Sequence, residues 1–570
     1  YNGFKVYWSD GAQIVPPTDK KLILEIEKLK YSDIKFKGSK NLINFLDDEV
    51  ESTYIKKSLE FSKSLFNKPK EKKLNIVFTA LHGTSYKLVP KLLKSSGFNN
   101  IKFVKNQMHP DGNFSNVQSA NPEDPRSLYE AVKIAKKHKY DIAIGTDPDS
   151  DRFGIAVRNL KDEYVHINGN QVMSLMTDYI LSKLKYKKNS FIASTVVSTP
   201  MMQQIAKLNN IELKLTLTGF KWIGKLIKDF KKLKFICGGE ESFGFLVGDF
   251  VRDKDALSSI LILCEICNEL KHEKSSFYDK LINCFIKYGF YKERLITKTE
   301  SGVKGTNKIK NIISSLRINP PKLLGNSKVR IIHDYLKSTT YNIYDNSTKK
   351  ISLPRTNLII LESEDGSRVG IRPSGTEPKI KYYFSVNSKL TSKENFETTN
   401  MNLDKKINLL IKQLAWMYFS RIISYILNYK KYFFLNILFS IIYAFFSAIA
   451  FLSLMPMLEV LFNGTAKKLE KPSLDLSTNL GDFLESWLNY QVSNFASDDN
   501  EKAILFVVCI VIVLFFLKNL SNYFALFFST LIRNGVVKDL KKNMYEKIII
   551  LPLEYFSKNI FFNFFEKWEK

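Results

Sequence analysis

Thr146-Asp147-Pro148-Asp149-Ser150-Asp151-Arg152 follows directly on the apolar run Asp141 to Gly145. In an extended loop, side chains at alternate positions point the same way, so Asp147, Asp149 and Asp151 can converge on one hard cation. Without a cation or full solvation they repel one another. An EF-hand begins with this spacing but needs Gly at the sixth position and Glu at the twelfth. Those places hold Arg152 and Arg158, which excludes it. A solvated acidic turn is the competing reading.

The apolar run before this loop predicts a buried strand, and the pattern repeats along the chain. Leu74 to Phe78 reads as a strand followed by a helix over Lys87 to Ser95, and Asp141 to Gly145 is followed by a helix over Gln171 to Leu184. Short apolar strands alternating with amphipathic helices predict α/β layers. Gly and Pro clusters punctuate them at Pro110-Asp111-Gly112, Asn121-Pro122 and Asn319-Pro320-Pro321.

Three more segments carry chemistry. Arg372-Pro373-Ser374-Gly375-Thr376-Glu377-Pro378-Lys379 offers a planar guanidinium fork, two hydroxyls and a glycine that lets backbone N–H groups approach. That inventory suits a phosphate dianion; a tight hairpin turn is the competing reading. Cys237-Gly238-Gly239-Glu240-Glu241-Ser242-Phe243-Gly244 sets Glu240 and Ser242 two residues apart, able to face one pocket and bind sugar hydroxyls. Thr218-Gly219-Phe220-Lys221-Trp222-Ile223-Gly224-Lys225-Leu226 is a near-miss to a P-loop. Leu226 replaces the magnesium-binding hydroxyl, and Phe220 and Trp222 crowd the cradle, so nucleotide binding is excluded.

In this order the four segments resemble the α-D-phosphohexomutase family, over about residues 1 to 415, and look most like its phosphoglucomutase and phosphopentomutase branch. The resemblance implies a multi-domain α/β fold. Residues 1–40 would be a remnant of domain 1, and 41–187 and 188–287 two α/β domains carrying the metal and sugar loops. Residues 288–415 would form a smaller α+β phosphate-binding domain. It implies Mg2+ on Asp147, Asp149 and Asp151. Arg152 would be catalytic, and Thr218, Lys221, Glu240, Ser242 and Lys254 would contact a sugar phosphate. Arg372, Ser374, Gly375 and Thr376 would hold the non-reacting phosphate. The opening Tyr-Asn-Gly-Phe-Lys resembles the stretch that follows the family's phosphoserine, which makes Lys5 the catalytic lysine. The serine loop is not in this sequence, so the N-terminus is expected to be missing and the chain as given inactive.

Past residue 416 the chemistry changes. Phe433 to Leu454 holds no charged residue and is long enough to cross a bilayer, and a second apolar run extends from Ala503 to Ile532. Lys430 and Lys431 precede the first, Arg533, Lys538, Lys541 and Lys542 follow the second, and Glu459 to Glu501 is richer in acids than bases. The positive-inside rule puts both flanks in the cytosol and the connection outside. The expectation is a cytoplasmic mutase part anchored in the inner (plasma) membrane by residues 433–454 and 503–532; two buried soluble helices are the alternative. Residues 417–570 resemble the start of an ABC exporter half-subunit, on Ile532-Arg533-Asn534-Gly535 and Leu551-Pro552-Leu553-Glu554-Tyr555-Phe556. Two truncated halves joined without a linker suggest neighbouring genes read through or misassembled.

Composition is that of a folded protein, 45% hydrophobic and 25% charged. The net charge of +28 is scattered Lys without an Arg stripe or nucleic-acid motif, so no nucleic-acid partner is expected. Five cysteines, an odd number, read as a reduced environment, and Cys264 and Cys267 as buried helix residues rather than ligands. The function expected of the complete parent is transfer of a phosphoryl group between the 1- and 6- (or 5-) positions of a sugar phosphate, through a phosphoserine enzyme and a bisphosphate. A membrane transporter component with a vestigial soluble part is the alternative, and a non-catalytic sugar-phosphate binder a third.

Overall fold

The computed structural model describes residues 5–35, 37–45, 48–66, 71–184, 188–300, 302–374, 378–453 and 500–549, with single positions between 471 and 495. The chain divides into two compact units, Tyr1–Gln413 and Leu414–Lys570.

In the first unit, an opening segment carries α1 (Thr18–Glu27) and leads to α2 (Asp48–Leu65). A five-stranded sheet follows, built from β1 (Ile76–Thr79), β2 (Ile101–Phe103), β3 (Ile142–Thr146), β4 (Phe153–Arg158) and β5 (Tyr164–Ile167) in the order β2-β1-β3-β4-β5. The first three strands run parallel, and β4 and β5 return antiparallel. β1 and β3 are buried at every position, which is why each reads as a continuous apolar run rather than an alternation. α3 (Ser85–Ser95) and α4 (Tyr129–His138) cover the sheet, with Val77, Leu128, Ala131, Ala135 and Ala143 in one cluster. The loops after β1 and β3 therefore emerge side by side at the carboxyl edge, where open α/β sheets place their ligands.

α5 (Gly169–Lys183) opens with a capping box in which Asn168 accepts from the Gln171 N–H and the Gln171 side chain accepts from the Asn168 N–H. It packs on the next layer: α6 (Met201–Leu208), α8 (Ala256–His272), α9 (Phe277–Tyr288) and β8 (Lys234–Gly239). The second α/β layer thus starts at about 168 rather than 188, because α5 buries its apolar face there. Its sheet holds β6 (Ser190–Thr195), β7 (Glu212–Thr216), β8 and β9 (Phe245–Val247) in the order β7-β6-β8-β9, flanked by α7 (Lys221–Asp229). Cys264 and Cys267 are buried free thiols on α8.

A third sheet is built from β10 (Phe290–Thr299), β11 (Leu323–Leu324), β12 (Ser327–Asp334), β13 (Thr339–Asn342), β14 (Thr348–Lys350), β15 (Ile359–Ser363), β16 (Arg368–Pro373) and β17 (Lys379–Ser388), in the order β10-β17-β16-β15-β12-β13-β14 with β11 beside β12. α10 (Gly302–Ile318) packs on β16 (Arg368–Pro373) and on β17. α11 (Phe396–Leu427) carries the chain onward.

In the second unit, α12 (Lys430–Leu452) packs along the helix Asn500–Ile549. Tyr432 stacks with Phe528, Asn436 donates to the Ala525 carbonyl at 2.7 Å, and Phe439 meets Phe524 at 5.1 Å, so the two helices run in opposite directions. Lys430–Phe451 and Ile504–Asp539, of mean hydropathy 2.1 and 2.7, are long and apolar enough to cross a membrane. Leu551 to Phe556, half of the exporter resemblance, and most of Glu459 to Glu501 lie outside the described residues.

Candidate active site

The acidic loop is held from within. Asp147 is fully buried; its Oδ1 accepts the N–H groups of Asp151 and Arg152 at 3.1 and 2.9 Å, and its Oδ2 accepts from Arg152 Nε at 2.7 Å. The loop closes tightly enough that Ser150 takes φ +61°. Asp147, Asp149 and Asp151 each offer an oxygen, and these lie within 4.8 Å of one another.

Three cations surround them. Lys5 Nζ reaches Asp149 at 2.6 Å and also pairs with Asp151, and Lys254 Nζ lies 3.4 Å from Asp151. Arg152 is steered by Glu123 at 3.0 Å and Asn121 at 3.3 Å. Burial, then repulsion from Asp151 and Asp149, pushes the Asp147 carboxyl up to about 7 despite Arg152. Burial also acts to raise Asp149, but its hydrogen bond from Lys5 wins and holds it below the usual carboxylate range. The Lys5 ammonium is stabilised by both partners against its own desolvation.

The loop after β1 braces the acidic loop from outside. The Thr84 N–H donates to the Pro148 carbonyl at 2.9 Å, Thr84 Oγ1 meets Ser150 Oγ at 2.8 Å, and Ser85 Oγ meets Thr146 Oγ1 at 2.6 Å. A Cβ on Gly83 would fall 2.6 Å from Pro148 Cα, so only glycine allows the two loops to touch.

The glutamate-serine loop abuts the acidic loop directly, with Arg152 and Gly244 forming an antiparallel bridge. Glu240, 3% exposed, accepts the Gly219 N–H at 2.7 Å, which ties it to the Thr218 loop. Burial beside Glu241 pushes Glu240 up to about 7. Gly244 leaves passage for the Lys254 stem, whose Cδ would lie 2.7 Å from a Cβ there. Ser242 is part-buried on the same turn. Glu241 turns away, accepting from Thr195 and Ser198 at 3.1 and 3.0 Å.

Arg372 ends β16, paired in register with Lys381, and the Ser374 N–H donates to the Lys379 carbonyl at 2.7 Å. Gly375 and Thr376 lie outside the described residues. The strand beside Arg372 touches the Thr218 loop: Tyr383 packs with Val196, Val197 and Leu217. Contacts thus run from β17 through Leu217 and Gly219 to Glu240, and from Gly244 on to Arg152. Lys221 does not join the cluster; it pairs with Asp19 of α1 at 3.5 Å.

A cavity of 550 Å³ opens beside these loops, lined in part by Asn121, Glu123, Ser198, Glu241, Tyr383 and Ser385. The sequence reading took Asn121-Pro122 for punctuation only. The signal it passed over was Glu123, a carboxylate one residue on that comes to rest against Arg152. Tyr7, whose hydroxyl donates to Asp253 at 2.6 Å next to Lys254, was also missed.

The pattern of phosphoglucomutase/phosphomannomutase alpha/beta/alpha domain II matches residues 52–161, and that of domain III matches residues 168–285. A phosphoglucomutase of Staphylococcus aureus (strain MRSA252) is 38% identical over 396 residues, 68% of this chain and 70% of the relative. That of strain MSSA476 is 37% identical over 421 residues, 72% of this chain and 73% of the relative. The crystal structure of the Paramecium exocytosis-sensitive phosphoprotein pp63/parafusin (phosphoglucomutase), in its open form, superposes with a TM-score of 0.47 at 18% identity. That superposition covers 65% of this chain and 62% of the other, so this chain spans about three fifths of that structure's length. Identical at more than a third of the aligned residues to relatives of which it spans over two thirds, the chain belongs to the phosphoglucomutase/phosphomannomutase family.

Proposed function

We propose that the first unit is the body of a phosphosugar mutase that moves a phosphoryl group between the 1- and 6- (or 5-) positions of a sugar phosphate. The observation that carries this is the convergence of Lys5, the acidic loop and the Glu240 loop, three distant segments, on one cluster.

In this reading a phosphoserine gives its phosphoryl group to a sugar hydroxyl, the serine O–P bond breaking as the sugar O–P bond forms. The bisphosphate reorients, and its other phosphoryl group returns to serine. Phosphate-monoester chemistry is very slow uncatalysed, so positioning and charge neutralisation must supply most of the acceleration. Lys5 and Arg152 offset charge on the moving phosphoryl group. Glu240, Ser242, Thr218 and Lys254 hold the sugar, and Arg372, Ser374, Gly375 and Thr376 the distal phosphate. Lys221, paired with Asp19 in the absence of substrate, is a further member of this set.

Asp147, Asp149 and Asp151 suit Mg2+: three hard oxygens gather within 4.8 Å, and Asp151 Oδ1 is buried with no hydrogen bond among the described residues. Bound there, the ion supplies fixed positive charge to a phosphoryl oxygen.

The family's phosphoserine stretch is not recognisable in the sequence given. A polypeptide of these residues alone is proposed to bind glucose 1-phosphate without interconverting it with glucose 6-phosphate, and one that also carries such a stretch to interconvert them. Phosphorus NMR of both tests this. Turnover by the shorter polypeptide would refute its inactivity, and absence of binding and turnover in both would refute the mutase.

For the second unit we propose membrane anchoring through Lys430–Phe451 and Ile504–Asp539, with the basic flanks cytosolic. The exposure of Phe434 (77%), Ile441 (62%) and Phe516 (64%) supports a hydrocarbon surrounding. An exporter origin for this unit stays a proposal resting on Ile532 to Gly535.

A further inference from the structure

Tyr383 is 7% exposed, and among the described residues its hydroxyl donates to no acceptor; the neighbouring Arg372 guanidinium is itself only a donor. Buried hydroxyls are nearly always paired, because leaving one unmade forfeits the hydrogen bond it had with water. Phenylalanine would fill the same apolar cluster without that penalty, so packing does not account for the oxygen.

Its placement does. Gly370 lies opposite Tyr383 and Arg372 opposite Lys381 on the antiparallel pair β16–β17. Residues two apart share a face, so Arg372 and Tyr383 present to the same side of the sheet. Tyr383 lines the 550 Å³ cavity together with Glu241, Ser198 and Ser385. Leu217 belongs to the same apolar cluster, and the next residue, Thr218, also carries a buried hydroxyl oxygen without a hydrogen bond among the described residues. Tyr383 thus sets its hydroxyl beside Arg372, one residue's breadth from a second unmet hydroxyl in the facing layer. Burial and the nearby Glu241 carboxylate keep the phenol protonated, with Arg372 opposing, so it is a donor.

We propose that Tyr383 is a further substrate-binding residue, its hydroxyl donating a hydrogen bond to the sugar phosphate that Arg372 clamps. The inference rests on the mutase reading of the same site. A phosphate oxygen or sugar hydroxyl arriving there satisfies a donor that the empty fold leaves unmet, so its energy is recovered only in the complex.

The test is calorimetric titration of the full chain in detergent micelles, and of its Tyr383→Phe variant, with glucose 1-phosphate. Thermal unfolding of both is followed without ligand. The expected result is about tenfold weaker binding by the variant, with an unfolding midpoint equal to or above that of the parent. A tyrosine that merely packs would show the same midpoint behaviour with no change in affinity, and equal affinities would overturn the proposal while leaving the mutase reading intact. No binding by the parent chain would overturn both. Where the midpoint of Tyr383→Phe falls, the titration is run at a temperature at which both chains are fully folded, and an affinity equal to the parent's there likewise overturns the proposal.

Discussion

The acidic loop and α12 face opposite problems. The loop buries charge in the first unit, with Asp147 wholly enclosed, while α12 leaves hydrocarbon uncovered in the second, with Phe434 77% exposed. The first manages the cost with Lys5, Arg152 and Lys254 and with backbone N–H groups. The second covers one side of α12 with the helix Asn500–Ile549 and leaves the rest bare. In the proposed reading each arrangement is completed from outside the chain, by a cation for the carboxylates and by a non-aqueous phase for the phenylalanines.

Separating the two regions gives the largest effect. A chain stopped after Leu427 should lose vesicle partitioning altogether and keep its affinity for glucose 1-phosphate; flotation and calorimetry check both, and retained flotation would break the contrast. Replacing Asp149 and Asp151 together by Asn should cost more Mn2+ affinity than the roughly 10–100-fold that loss of a supporting partner costs, read by electron paramagnetic resonance.

Next comes pH. Glu240 is raised from 4.5 to about 7 in the folded chain. Its contribution is full below about 4.5 and falls as pH rises, because the unfolded chain releases the proton first; it is lost above about 7, a change of roughly 3 kcal/mol. Glu240→Gln should flatten this decline between pH 5 and 8, and urea midpoints across that range measure it. Smallest is Gly83→Ala, whose methyl group would press on Pro148 and should cost about 1–3 kcal/mol. A denaturation midpoint equal to that of the parent would show that the two loops are not braced against each other.

Much of this was legible beforehand. β1 and β3 were readable because both faces are buried, which makes strands continuous apolar runs, and α8 because its apolar stretch is long. The start of the second layer at 168 was harder, since α5 is buried nearly all round, polar Asn170, Ser174, Thr177 and Asp178 included, and only packing shows which sheet it joins. Lys221 sits in a telling motif yet pairs with Asp19, because helix phase at α7 aims it toward α1.

By itself the sequence determined the acidic loop, the Glu-Glu-Ser turn, the Arg-Pro-Ser-Gly-Thr segment and the change to apolar helices after 416, since residue type and spacing fix local chemistry. Only the tertiary structure decided that Lys5 meets Asp149, that Glu123 holds Arg152, that Thr84 braces Ser150 and that Tyr383 lines the cavity on the same face of the sheet as Arg372. Those partners lie tens to hundreds of residues apart, and no local pattern encodes a contact that exists only when separate layers are brought together.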